Sequence, residues 1–260
     1  MLPFIYIGNW EISTHFLFTL SGILIGFLLL IYNIKTLDKN TKNSLLLLAI
    51  LIFIPFFIGG WLGYELEILL NNNKLSFGKI KLFESFSLIW GLLFSTVFAF
   101  PAAKLLKLNV WMAGDFFSMS IAVGGIFVKL GCFLNGCCFG LPCSDNFPFA
   151  IYYPFGSYQY SLFGDSKFYP SQLFESASWL IIFLILLIKK NNKLFNGELI
   201  VLTFFFFSLF RFLVQFTRYY DSKLLMLFEY FFLLLILVIS IIIYIIKCKY
   251  YKSYKKLDKT

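Results

Sequence analysis

Only two of the chain's 22 basic residues are arginines, and both fall in one stretch, Arg211-Phe212-Leu213-Val214-Gln215-Phe216-Thr217-Arg218. Arg211, Gln215 and Arg218 are spaced i, i+4, i+7 and share one face of a helix. A guanidinium fork binds phosphate bidentately, where a lysine ammonium acts as a point charge. Placing the only two forks here predicts that a phosphate is held; Arg218 also reads as an interfacial anchor. A second cluster is Gly125, Lys129, Cys132, Gly136 and Gly140, one helical face in which Lys129 is the only charge between Asp115 and Asp145. A cation in a stripe of small residues reads either as an anion site or as a close-packing face with a snorkelling lysine. A third is Tyr169-Pro170-Ser171-Gln172-Leu173-Phe174-Glu175. Pro170 suits a first helical turn, and Gln172 and Glu175 share a face. Glu175 either pairs with one of the cations or complements the helix dipole.

Four of the five cysteines, Cys132, Cys137, Cys138 and Cys143, lie within twelve residues. Structural zinc sites use two close pairs set apart along the chain, and this spacing is different, so neither metal nor cofactor is expected. Small buried packing residues, or a bridge from Cys137 or Cys138 to Cys143, are the remaining readings. The lone histidine, His15, is either a hydrogen-bonded structural residue or the one side chain whose ordinary pKa suits proton transfer near neutrality.

The elements that position these groups are membrane helices. The 260 residues are 60% hydrophobic and 13% charged, about half the charge of a soluble domain, with mean hydropathy +0.84. Seven apolar stretches of spanning length are expected, at roughly 14–34, 44–63, 86–103, 111–136, 171–188, 198–217 and 224–246. Of the 22 Lys/Arg, 14 lie in Lys35–Lys42, Lys104–Lys107, Lys189–Lys193 and Lys247–Lys259, after the first, third, fifth and seventh stretches. Cytoplasmic loops collect such charge, so the N-terminus is expected outside and the C-terminus inside. The same distribution explains the +9 net charge without a nucleic-acid partner. The fold class is therefore all-α and polytopic: one seven-helix domain, 1–246, with outer-face segments 64–85 and 137–170 and a basic cytoplasmic tail, 247–260. The first stretch reads as a span and not a cleaved signal, because no basic residue precedes Lys35, and no lipidation motif stands at either end. Asn71-Asn72-Asn73 is expected to be a loop.

Four stretches in this order resemble the prolipoprotein diacylglyceryl transferase family. Gly59-Gly60-Trp61-Leu62-Gly63-Tyr64 is similar to that family's Gly-Ala-Arg-Leu-Gly-Tyr. Lys129-Leu130-Gly131-Cys132-Phe133-Leu134-Asn135-Gly136-Cys137-Cys138-Phe139-Gly140 resembles its signature Arg-Ile-Gly-Asn-Phe-Ile-Asn-Gly-Glu, two residues, Gly. Pro170-Ser171-Gln172-Leu173-Phe174-Glu175 resembles Pro-Thr-Gln-Leu-Tyr-Glu, and Arg211 to Arg218, with Asp221, resembles Arg-Phe, two residues, Glu, two residues, Arg. The departures are specific. Lys129 stands at the signature arginine, Cys132 at an essential asparagine, Cys137 at a glutamate and Gln215 at a glutamate. Leu88-Ile89-Trp90-Gly91 stands where the family has His-Gly-Gly, Tyr169 stands at a histidine, and His15 falls at a functional tyrosine. A Gly-Cys-Phe-Leu-x-Gly-Cys-Cys-Tyr-Gly variant of the family is closer to this chain.

The resemblance implies a bacterial plasma (inner) membrane enzyme that moves diacylglyceryl from phosphatidylglycerol to the lipobox cysteine thiol of a prolipoprotein signal peptide. On that expectation Arg211 and Lys129 stabilise the leaving phosphate, and Arg218 clamps it from outside. His15 takes the thiol proton, Asn135, Gln172 and Gln215 hydrogen-bond substrate, and Cys132, Gly140 and Glu175 complete the binding set. The alternatives are a same-fold lipid-headgroup transferase with another acceptor, in which Cys132 is a nucleophile, a non-catalytic lipid-binding or transport relative, and a thiol–disulfide protein.

Overall fold

A computed structural model describes residues 2–8, 10–72 and 87–257. Its long helices are α1 (Thr14–Ile34), α2 (Lys39–Asn72), α3 (Leu88–Leu105), α4 (Val110–Asn135), α6 (Ser171–Lys189), α7 (Glu198–Gln215) and α8 (Lys223–Leu257); α5 (Tyr158–Phe163) is a single short turn of helix. Among the described residues six helices are long and apolar enough to cross a membrane, and α3 is apolar over the shorter run Trp90–Leu105. Two helices outrun their apolar stretches. α2 continues to Asn72, so Asn71 and Asn72 are helical, because no breaker follows Gly63 and Tyr64 to Leu70 are helix-compatible. The remainder of the 64–85 segment, with Asn73, Lys74, Lys79 and Lys81, lies outside the described residues. α8 runs through the basic tail to Leu257, where lysines suit the negative end of the helix dipole.

Two small antiparallel sheets add to the helical architecture. β1 (Phe4–Ile7) pairs with β2 (Trp10–Ser13), and β3 (Ile151–Tyr152) pairs with β4 (Lys167–Phe168). The first hairpin ties down the start of α1: Thr14 N donates to Pro3 O at 3.0 Å, and Leu2 N reaches Leu134 O, near the end of α4, at 3.2 Å.

One end of the bundle gathers Thr14, Asn135, Ser171, Gln215 and Lys223, the termini of five helices. The chain from 136 to 170 folds across that end on its own aromatic core of Phe139, Tyr153 and Phe168, with Ile151, Phe163 and Tyr219 packed against it. The opposite end is held by a satisfied polar cluster. Asp115 accepts from the N–H groups of Gly197 (2.9 Å) and Leu199 (2.8 Å) and pairs with Lys193 at 2.9 Å, capping the start of α7. Between the two ends α4 is the central helix. A Cβ on Gly125 would sit 2.4 Å from the Trp179 ring, so α4 and α6 pack in close contact, and Trp179 in turn stacks on Phe207 of α7 at 5.1 Å.

Candidate functional site

The site is set by how α4 ends. Gly136 takes φ +79°, a left-handed conformation that closes the helix, and Cys137 N then donates back to Cys132 O at 3.1 Å. Gly136 and Gly140 thus do not extend the expected helical stripe: Gly136 caps the helix and Gly140 lies beyond it. Gly140 is walled in, since a Cβ there would lie 2.2 Å from Tyr169 O and 2.8 Å from Thr217 O. Its backbone bridges to Arg218, which holds the loop against the end of α7.

Beneath this lid Glu175 of α6 collects three cations. Lys129 Nζ lies 2.5 Å from Glu175 Oε2, Arg218 Nη1 lies 3.0 Å from Oε1, and Arg211 Nη1 pairs with the same Oε1. Arg211 is a true fork: its Nη2 donates to Glu229 Oε2 of α8 at 3.0 Å and to the Tyr220 oxygen at 3.3 Å. Gln215 Nε2 donates to the same Glu229 oxygen at 3.1 Å, and the Tyr220 hydroxyl lies 2.5 Å from it and 2.8 Å from Gln215 Oε1. Lys129, Glu175 and Arg211 are all buried. Charges out of water persist only when paired and hydrogen-bonded, and this network meets that condition across four helices. Three cations against two carboxylates leave one net positive charge, which suits an anion. Burial pushes the Tyr220 phenol above its ordinary range, against the pull of Arg218 and Arg211, so it stays a neutral donor.

A narrow apolar cleft, with room for about one water molecule, adjoins this cluster. Glu175 and Arg211 stand at its polar end; Ser178, Trp179, Ile182, Phe207, Phe210 and Val214 line the rest, from α6 and α7. Gln172 is fully buried beside it. Its Nε2 donates to Cys137 O at 2.8 Å and to the Tyr153 hydroxyl at 3.1 Å, while its Oε1 has no hydrogen-bond partner. Burial pushes the Tyr153 phenol up to about 12, partly opposed by that hydrogen bond from Gln172.

The third part of the site is the α1–α4 crossing. A Cβ on Gly131 would lie 3.0 Å from Phe18 Cβ and 3.2 Å from His15 Cα, so a glycine here lets the start of α1 approach more closely than a larger residue would without a small shift. That approach brings His15 to Cys132 and Cys137, whose ligand atoms all lie within 4.8 Å of one another. All five cysteines are unbridged. Asn135, the last residue of α4, makes no side-chain hydrogen bond among the described residues.

Of the residues singled out from sequence, Lys129, Glu175, Arg211, Gln215 and Arg218 meet in one network, Gln172 stands beside it and His15 joins Cys132. Sequence reasoning missed Glu229 and Tyr220. Glu229 is the only charge in the apolar run 224–246. The rule that an intramembrane carboxylate is functional by default would have found it. Tyr220 sends no comparable signal.

Among the described residues, six apolar helices of spanning length around a buried charge cluster define a multi-pass membrane protein. The family model for prolipoprotein diacylglyceryl transferase matches residues 3–249, and the chain belongs to that transferase family. A phosphatidylglycerol–prolipoprotein diacylglyceryl transferase of Rhodopirellula baltica is 39% identical over 56 residues, 22% of this chain and 11% of that protein.

Proposed function

We propose that the chain transfers diacylglyceryl from phosphatidylglycerol to the lipobox cysteine of prolipoprotein signal peptides. It would do so in a bacterial plasma membrane, crossed seven times, with the N-terminus outside and the C-terminus in the cytoplasm. The observation that carries the reading is the buried network of Lys129, Arg211 and Arg218 with Glu175 and Glu229, one positive charge in excess, set among apolar helices.

The lipid phosphate takes the excess charge. Arg211 and Lys129 are preorganised where charge grows as the phosphate leaves, and low dielectric strengthens that interaction. Arg218, at the outer rim, orients the headgroup. The unpartnered Gln172 Oε1 accepts from a substrate hydroxyl or peptide N–H, and Gln215 holds the Glu229–Tyr220 side of the arginine fork in place. Cys132, Asn135, Glu175 and the Gly140 loop shape the same chamber. His15 stands where the acceptor thiol sheds its proton to become a nucleophile.

The test is transfer from labelled phosphatidylglycerol to a synthetic lipobox peptide by the purified full chain in detergent, beside Arg211→Ala. The expected result is a thioether product that disappears in the variant. Bound phosphatidylglycerol with no thioether from the wild type would overturn the reading in favour of a lipid-binding protein.

A further inference from the structure

We propose that His15, Cys132 and Cys137 bind a thiophilic d10 metal ion, zinc above all, and that the ion's fourth position takes the acceptor thiol. The second part rests on the diacylglyceryl-transfer reading. Two sulfurs and one imidazole are the ligand set that thiophilic ions select, and three protein ligands with one open position is the form of a reactive site. The ligand atoms lie within 4.8 Å of one another. Zinc bonds of about 2.0–2.3 Å place tetrahedral ligands roughly 3.5–3.8 Å apart, so side-chain rotations of about 1 Å close the set. The backbone already favours that closure. The Gly136 cap folds Cys137 back on Cys132, with the Cys137 sulfur 3.8 Å from the Cys132 carbonyl, and Gly131 admits His15 from α1. Cys132 is buried, whereas His15 and Cys137 are half-buried, leaving the ion approachable on one side.

Two thiolates neutralise a divalent ion, so the filled site adds no net charge to a buried region. It also answers a chemical need. A thiol that coordinates such an ion is deprotonated outright, and its proton goes to water. The bound sulfur then attacks the glyceryl carbon attached to the phosphate oxygen. A carbon–sulfur bond forms and the carbon–oxygen bond breaks. Its electron pair leaves on glycerol phosphate, held by Arg211 and Lys129; no oxidant or reductant is consumed. In this arrangement His15 is a ligand, and the ion does the work otherwise asked of a base. Lys129, one turn before Cys132, places the anion site next to the metal.

The experiment is cobalt(II) titration of the chelator-treated full chain in detergent, read by the sulfur-to-cobalt charge-transfer band, with metal analysis of the protein as purified. One equivalent of cobalt and a strong band are expected. The band should vanish in Cys132→Ser and weaken in His15→Ala, and persist in Cys143→Ser and Cys248→Ser, which share the membrane fold. Addition of a lipobox peptide should strengthen the band, and its serine analogue should not. Absence of a band in the wild type and in both control variants, with no metal as purified, would overturn the site. A band indifferent to the peptide thiol would overturn its coordination. Full transfer by metal-free protein would overturn the metal's role while leaving diacylglyceryl transfer standing. A metal-loaded protein that binds the peptide thiol yet transfers nothing would instead overturn the transfer reading and leave the site.

Discussion

Replacing Arg211 by lysine should damage turnover far more than the same change at Arg218, because the two guanidiniums are held differently. Arg211 uses separate nitrogens on separate helices: Nη1 on Glu175, and Nη2 on Glu229 at 3.0 Å and Tyr220 at 3.3 Å. A lysine ammonium there reaches one carboxylate and releases the other, and it loses the bidentate grip on a phosphate. At least one charge-assisted hydrogen bond is lost, about 1.5–3 kcal/mol. If that bond matters only as the phosphate leaves, kcat/KM falls about 10- to 150-fold, since about 1.4 kcal/mol is tenfold. Arg218 contributes Nη1 to Glu175 at 3.0 Å, and its Nε has no hydrogen-bond partner. A lysine keeps that ion pair and gives up the guanidinium's position over the Tyr220 ring at 5.2 Å, about 0.5–1 kcal/mol, so Arg218→Lys should stay within about fivefold of wild type. The assay is initial rate of labelled diacylglyceryl transfer to a lipobox peptide, with thermal unfolding in detergent to correct for lost folded protein. Two equal, mild losses at matched stability would refute the leaving-group assignment.

Glu229→Gln removes one of the two carboxylates that hold Arg211 and weakens the contacts from Gln215 and Tyr220. It should destabilise the bundle by about 2–4 kcal/mol, seen as a lowered unfolding midpoint; an unchanged midpoint would remove Glu229 from the network. Gly131→Ala puts a methyl 3.0 Å from Phe18 Cβ and 3.2 Å from His15 Cα. Thermal unfolding should register a loss of about 1 kcal/mol, the low end for overpacking, as α1 gives by a few tenths of an ångström, and a raised midpoint would contradict so close a crossing. Tyr153 gives a pH signature. Its phenol moves from the ordinary 10.0 to about 12 by burial, so the folded chain keeps a proton that the unfolded chain loses. The associated stability is complete below about pH 10 and drains away as pH rises towards 12. Tyr153→Phe should flatten that alkaline limb; an identical slope would show that the phenol is not buried.

The helices were legible because an apolar run of bilayer length is a strong signal, and α1, α4 and α6 follow their expected bounds to within a residue or two. α2 and α8 were underestimated for a physical reason: hydropathy measures the hydrocarbon-compatible run, whereas helix propensity carries the backbone beyond it. The chemistry of the cluster could be read from residue type, since lysine, arginine and glutamate do not lie in apolar helices without partners. Which partner each would find could not. Glu175 takes three cations because α4, α6 and α7 meet there, a matter of crossing geometry. The nearness of His15 to Cys132 depends likewise on one glycine in α4. The close backbone neighbours of Gly140, Tyr169 and Thr217, come from later in the chain and could not be read from its own stretch of sequence.

The ion-pair network also constrains how the protein is made. A helix inserted during synthesis meets the bilayer before its later partners exist. Lys129 enters before its partner Glu175, at an insertion cost of about 2.5–3.5 kcal/mol that snorkelling and the apolar remainder of α4 must offset. Glu175 arrives with α6 and relieves it; Arg211 then comes in beside a carboxylate already in place. Glu229 sits on α8, so the second half of the arginine fork stays open until α8 has been synthesised. Assembly of the network therefore runs from an unpaired charge towards the most satisfied state, and the network is complete only when α8 joins it.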